Sequence, residues 1–114
     1  MISDSVAPTG LGDGEFTIWG ETVTVEGRRT RNARGSIAGS VITMHDAIKQ
    51  MTSIGFSLPE VSQMASVNPA KLLGLGQTHG SVDLGKRADL VLVDRNGDLR
   101  LTMISGKVVH NEIS

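Results

Sequence analysis

Histidine, a frequent ligand of catalytic metals, occurs three times in the 114 residues. His45, His79 and His110 lie far apart, and no pair has the close spacing that brings two ligands to one helix face or one strand. The chain contains no cysteine, which excludes disulfides and thiolate metal sites. The sequence therefore predicts no metal site built from this chain alone. Each histidine is interpreted as an ordinary helix, loop or strand-end residue.

Two glycine-rich stretches and a group of arginines are further candidates for ligand binding. Residues 10–14 lead into a predicted strand and residues 74–76 open no helix, so neither has the context of a nucleotide-binding loop. Residues 94–98 resemble a calcium loop but lack its required glycine and glutamate, which favours a hairpin turn. A solvated hairpin face is favoured over a phosphate site for the arginines, because no helix N-terminus adjoins Arg28, Arg29, Arg31 and Arg34.

The elements expected to position these residues begin with a β-hairpin. Residues 16–19 and 22–25 are β-branched or aromatic runs, and Gly20-Glu21 between them predicts a two-residue turn. Residues 1–14 have the composition of a loop, apart from a possible strand end at Met1-Ile2. Residues 27–35 are polar, and we predict an exposed loop there.

Three short helices in tandem follow. Thr43 with Asp46 and Ser57 with Glu60 have the spacing of capping boxes, and each pair precedes apolar residues at helical intervals. Asn68 is predicted to cap a third helix, with Pro69 at its first position.

The remainder of the sequence predicts a small β meander. Residues 89–94 form a continuous apolar run of strand length, residues 99–104 alternate, and residues 108–110 form a third short strand. A chain of 114 residues is too short for a complete eight-stranded α/β barrel, which needs about 200 residues or more.

Charge and hydropathy exclude several classes of partner. The net charge is −1, so we expect neither nucleic acid nor an anionic membrane as a partner. No apolar run approaches the roughly 18 residues that a membrane span requires, and nothing resembles a signal peptide. We expect a soluble, cytoplasmic protein.

Four stretches together resemble a known family. Residues 2–10 (ISDSVAPTG) are similar to the segment of N-acetylglucosamine-6-phosphate deacetylases in which a barrel strand ends at the essential aspartate. Residues 35–40 (GSIAGS), followed by Thr43-Met44, resemble the loop of that family that contacts the sugar. Residues 64–71 and 80–91 are similar to the tail shared by the amidohydrolase superfamily. The first two stretches point to the deacetylase, whereas the last two recur across amidohydrolases of many substrates.

The resemblance implies an α+β fragment. Residues 1–75 would be the end of a (β/α)₈ barrel, its last strand and outer helices. Residues 76–114 would be the C-terminal strands of a small β-sandwich domain. The family's metal ligands and phosphate-binding residues would precede Asp4, so the resemblance implies that this chain is inactive alone. Uncovered helix faces would favour a homo-oligomer.

The implied reaction is hydrolysis of N-acetylglucosamine 6-phosphate to glucosamine 6-phosphate and acetate, with a divalent metal, zinc or similar, in the intact enzyme. Asp4 matches the catalytic aspartate, which takes a proton from water and passes it to the departing amine. Ile37, Ala38 and Gly39 match the substrate-binding loop. No metal ligand is expected in this chain.

Two alternatives remain open. The chain could be a binding module that complements a separate polypeptide carrying the metal site. It could also belong to another amidohydrolase, such as a dihydroorotase-like or deaminase-like enzyme.

Overall fold

A computed structural model describes residues 1–113. The chain divides into two compact units, the first from Met1 to Ala47 and the second from Ile48 onward. The architecture is α+β, because each unit contains one three-stranded antiparallel sheet and helices lie between the two sheets in the sequence. None of the helices in the described part of the chain is long and apolar enough to cross a bilayer.

The sheet of the first unit has the strand order β1-β2-β3. Strand β1 comprises Gly14–Ile18, β2 comprises Glu21–Glu26, and β3 comprises Arg29–Asn32. Alternation places one face of β2 inward, so that Val23 and Val25 are only 4% and 3% exposed. These valines, with Pro8 and Ala47, are the buried apolar residues of the unit.

The predicted hairpin is confirmed, with its turn one residue earlier than expected. Ile18 pairs with Glu21, which leaves Trp19 and Gly20 as the two turn residues. Both have positive φ, 50° and 82°, as a tight turn matching the twist of the strands requires.

The prediction of a loop over residues 27–35 is wrong in part, because strand β3 lies within it. Thr30 pairs with Val25 and is 3% exposed, while Arg31 pairs with Thr24 on the exposed face. The strand exists because β2 offers it a partner and one inward position, which a polar composition does not reveal. The possible strand end at Met1-Ile2 is also absent, since neither residue is extended within a sheet.

Helix α1, Met44–Ser53, begins at the predicted capping box. The Asp46 carboxylate accepts hydrogen bonds from the Thr43 N–H at 2.8 Å and the Thr43 hydroxyl at 2.7 Å. The Asp46 N–H donates back to the Thr43 hydroxyl at 3.1 Å. The helix therefore starts where local sequence predicts.

The next two predicted helices are one continuous helical stretch. Helix α2, Leu58–Ser62, continues through a π-helical segment, Gln63–Val67, into helix α3, Asn68–Leu72. Asn68 was predicted to cap a new helix, and this is wrong: its backbone is helical, and its side chain accepts a hydrogen bond from Gln63 at 2.9 Å. The wider π turn accommodates Pro69, which has no N–H and would crowd a regular α-helix.

The predicted β meander is confirmed. Strand β4 comprises Leu90–Val93, β5 comprises Leu99–Ile104, and β6 comprises Lys107–Asn111, paired in that order. Asp94 closes the first turn by accepting the N–H groups of Asn96 and Asp98 at 2.8 and 3.0 Å. The stretch that resembles a calcium loop is thus a hairpin turn, as predicted.

Candidate active site

The segment carrying Asp4 and the loop of residues 37–40 lie side by side, although 35 positions separate them in the chain. Ser5 and Ser40 form a parallel β-bridge. The Ser40 N–H donates to the Asp4 carbonyl at 2.7 Å, and the Val6 N–H donates to the Ser40 carbonyl at 2.8 Å. The backbone on both sides of Ser5 is therefore tied to one residue of the loop.

Three serine hydroxyls reinforce this bridge. Ser40 Oγ donates to the Ser3 carbonyl at 2.5 Å, and Ser5 Oγ donates to the Ile42 carbonyl at 2.5 Å. Ser5 Oγ also lies 2.8 Å from Ser3 Oγ. Each contact crosses between the two segments or stiffens one of them, so the backbone at Asp4 is held from both neighbours.

Asp4 is exposed and has a φ of 54°, in the left-handed region. Aspartate tolerates this region better than most residues, but the conformation persists only where the surroundings fix it. Here the bridge to Ser40 fixes it. The carboxylate is consequently presented to solvent from a constrained backbone.

Gly39 approaches Asp4 too closely for any side chain. A Cβ at Gly39 would lie 2.7 Å from Val6 Cγ1, 3.0 Å from the Asp4 carbonyl oxygen and 3.7 Å from Asp4 Oδ2. The φ of Gly39 is also 81°, which favours glycine. The structure thus brings Asp4 and Gly39, two residues predicted from sequence, into direct proximity.

The other two predicted loop residues differ in exposure. Ile37 is 82% exposed, whereas Ala38 is half-buried. The exposed isoleucine gives the loop one apolar side chain that is available to a ligand.

Sequence reasoning missed Thr30. This strand residue is 3% exposed, and its hydroxyl donates to the Gly39 carbonyl at 2.6 Å and accepts from the Ala38 N–H at 3.1 Å. A threonine between two arginines carries no recognisable signal of such a role. Its partner in the sheet is Val25 on the inward face of β2, but the sequence predicted a loop there and so gave no indication of this pairing.

The arginine group makes internal contacts. Arg28 lies 2.8 Å from Asp46, Arg31 donates to the Gly35 carbonyl at 2.9 Å, and Arg34 lies 3.5 Å from Glu21. The hydrogen bond from Arg28, followed by those from Thr43, holds the pKa of the Asp46 carboxyl far below its usual range. These contacts support the solvated hairpin face.

Two of the histidines lie beside carboxylates or hydroxyls without forming a ligand set. His79 Nδ1 is 2.7 Å from Thr78 Oγ1, and its Nε2 is 4.0 Å from Asp89 Oδ2. His110 Nε2 lies 3.4 Å from Glu112. Within residues 1–113, no group of three or more His, Cys, Asp or Glu side chains could hold a metal ion. The described residues alone therefore do not fit a catalytic metal.

Comparison with known proteins gives a consistent family. The sequence profile of the amidohydrolase family matches residues 13–109. The chain is 36% identical over 109 residues to N-acetylglucosamine-6-phosphate deacetylase of Bacillus subtilis, covering 95% of this chain and 28% of that protein. It is 34% identical to a putative N-acetylgalactosamine-6-phosphate deacetylase of Escherichia coli K12, covering 95% of this chain and 65% of that protein.

Solved structures agree with these relatives. The crystal structure of the N-acetylglucosamine-6-phosphate deacetylase of Thermotoga maritima superimposes with a TM-score of 0.89 at 34% identity, covering 96% of this chain and 30% of that one. The corresponding enzyme of Pasteurella multocida gives a TM-score of 0.89 at 28% identity, covering 96% and 29%. The chain spans less than a third of the length of most of these relatives. The predicted family is confirmed, and the chain belongs to the amidohydrolase family.

Proposed function

We propose that this chain is the C-terminal part of a hydrolase that deacetylates N-acetylglucosamine 6-phosphate. The observation that carries the proposal is the tie between Asp4 and the loop of residues 37–39, made by the hydrogen bonds of Ser40. It joins the two stretches whose resemblance is most specific to the deacetylase. Relatives bearing that name are 32–36% identical over nearly the whole chain.

The proposed setting is the end of a (β/α)₈ barrel. Asp4 would follow the last barrel strand, where the catalytic groups of such enzymes lie. Residues up to 75 would complete the barrel, and residues 76–114 would contribute strands β4–β6 to a β-sandwich. The strongly exposed apolar side chains support this setting, because such surface is normally covered; they include Leu72 at 87%, Leu73 at 71% and Val91 at 60%.

The proposed reaction adds water across the amide bond. The water oxygen bonds to the acetyl carbon, the C–N bond breaks, and the amine nitrogen gains a proton. Asp4 would accept the proton from the water and deliver it to that nitrogen, which is general base and then general acid catalysis. Ile37, Ala38 and Gly39 would hold the sugar through backbone groups and one apolar contact.

The metal of the proposed enzyme would be bound outside the described residues. Deacetylation by this family is expected to need a divalent ion, zinc or similar. The isolated chain is consequently proposed to be inactive. A homo-oligomer in the cytoplasm is part of the same proposal, because association would cover part of the exposed apolar surface.

An N-acetylgalactosamine 6-phosphate substrate is the second candidate. Two relatives at 34% identity are named as N-acetylgalactosamine-6-phosphate deacetylases, one of them as putative. The two sugars differ only in the configuration of one hydroxyl group, so both belong in the test.

The test is a hybrid enzyme in which this chain replaces the aligned segment of the Bacillus subtilis relative. Acetate release from both sugar phosphates is measured with zinc present. Asp4→Asn is the matched variant, because asparagine also tolerates the left-handed backbone and changes only the charge and proton affinity. We expect Asp4→Asn to lower kcat by about 10²–10⁴-fold. An active hybrid that keeps its rate with Asp4→Asn would refute the role of Asp4.

The complementing-module alternative predicts a different result. The chain, mixed with the rest of the relative as a separate polypeptide, would then restore binding of the sugar phosphate, and Asp4→Asn would leave every rate unchanged. Activity of the hybrid on a cyclic amide, with none on either sugar phosphate, would instead indicate another amidohydrolase.

A further inference from the structure

Among residues 1–113, Thr30 is the one buried residue with a polar side chain, and 3% of its surface is exposed. It lies on the inward face of β3 because it pairs with Val25 of β2, whose side chain is in the core. Its neighbours in the strand, Arg29 and Arg31, are exposed. An inward threonine hydroxyl is costly to bury unless it is hydrogen-bonded.

The hydroxyl is satisfied by the loop rather than by its own sheet. Thr30 Oγ1 donates to the Gly39 carbonyl at 2.6 Å and accepts from the Ala38 N–H at 3.1 Å. One oxygen thus fixes both ends of the two-residue unit formed by Ala38 and Gly39. Because these two backbone groups point at Thr30, the orientation of the peptide unit between the two residues is fixed.

We propose that Thr30 is a positioning residue for substrate binding, which sets the orientation of the loop backbone at Ala38 and Gly39. This inference rests on the proposed function, in which that loop holds the sugar. The hydrogen bonds that hold the Asp4 segment, the bridge to Ser40 and the Ser40–Ser3 bond, do not involve Thr30. Loss of the Thr30 hydroxyl should therefore weaken substrate binding and spare the chemical step.

Two substitutions separate the hydroxyl from the shape of the side chain. Thr30→Val keeps the volume but leaves the Ala38 N–H and the Gly39 carbonyl without their buried partner. Thr30→Ser keeps the hydroxyl and loses a methyl group. Thr24→Val is the matched control, because Thr24 lies in the same sheet on its exposed face.

The first measurement is amide hydrogen exchange on the full chain by NMR. We expect Thr30→Val to speed exchange of the Ala38 amide by about tenfold, while Thr30→Ser and Thr24→Val leave it within about threefold. The amides of β1 and β2 should change little. Equal acceleration throughout the sheet would show a general loss of stability and would overturn the positioning role, as would an unchanged Ala38 amide.

The second measurement is steady-state kinetics of the hybrid enzyme. We expect Thr30→Val to raise KM by about tenfold with kcat within about threefold, and Thr30→Ser to restore the original KM. A fall in kcat at constant KM would overturn the link to substrate. A hybrid that is inactive even with Thr30 unchanged would contradict the proposed function only. The hydrogen-exchange measurement tests the hydrogen bonds of Thr30 to Ala38 and Gly39 independently of activity.

Discussion

Gly39→Ala tests the close approach between the loop and the Asp4 segment. Alanine at a φ of 81° costs about 1–2 kcal/mol relative to glycine. Its Cβ would also lie 2.7 Å from Val6 Cγ1 and 3.0 Å from the Asp4 carbonyl oxygen. The carbonyl oxygen belongs to the backbone and cannot rotate away. Overpacking of this kind adds about 1–3 kcal/mol, so we expect a loss of about 2–5 kcal/mol in the free energy of unfolding of the first unit.

Gly35→Ala is the matched control. Gly35 lies in the same loop with a φ of 79°, and a Cβ there would have no atom within 4 Å. Gly35→Ala therefore has the conformational cost of a positive φ but no close contact. Reduced freedom of the unfolded chain partly offsets that cost, so we expect a loss of about 1 kcal/mol in the free energy of unfolding. Urea denaturation followed through amide signals of residues 1–47 measures both variants. Equal losses in the two variants would show that the loop does not press on Asp4.

Three further predictions concern other parts of the chain. Asp46→Asn should destabilise the first unit by about 1 kcal/mol at pH 7, because Arg28 at 2.8 Å and the cap stabilise the charged carboxylate. Folding lowers the pKa of Asp46, so its contribution to the free energy of unfolding is complete above about pH 4 and shrinks as the pH falls further. Urea titrations measure the difference in unfolding free energy between the wild type and Asp46→Asn at pH 7 and pH 2.5. An equal difference at the two pH values would contradict this prediction. Gly80→Ala should cost at least about 1 kcal/mol more than Gly85→Ala by thermal denaturation, since only at Gly80 would the Cβ meet a neighbour, at 2.7 Å. Trp19, the single tryptophan, is 97% exposed, so its fluorescence in the monomeric chain should match that of a free tryptophan derivative in emission and acrylamide quenching; a blue-shifted, protected signal would place it in contact with other residues.

Features set by near neighbours in sequence were predictable. The capping residues Thr43 and Ser57 lie three positions from the carboxylates that accept their hydrogen bonds, so the helix starts follow from interactions between near neighbours in sequence. The β meander was likewise evident from its apolar runs and the Asn96-Gly97 turn. Asp4 and Gly39 could be singled out only by resemblance, because neither composition nor spacing distinguishes them from ordinary loop residues.

Features that depend on distant partners were not predictable. Strand β3 is polar in all four of its residues, and it forms because β2 lies beside it. Asn68-Pro69 has the local appearance of a helix start, yet the preceding π turn lets the helix continue through it. Thr30 gains its importance from a loop eight and nine positions away, through contacts that no local pattern encodes.

The bridge between Ser5 and Ser40 closes the intervening residues into a loop whose two ends are held together. Closure entropy changes slowly with loop length, so residues added or removed at the hairpin tip should leave the junction intact. Removal of the whole sheet is a different case. A short linker in place of strands β1–β3 would leave Val6 and residues 37–40 present but would remove Thr30, whose hydroxyl orients the loop at Ala38 and Gly39. The length of this loop can therefore vary at the β1–β2 hairpin tip, whereas it is constrained where Thr30 contacts residues 38 and 39.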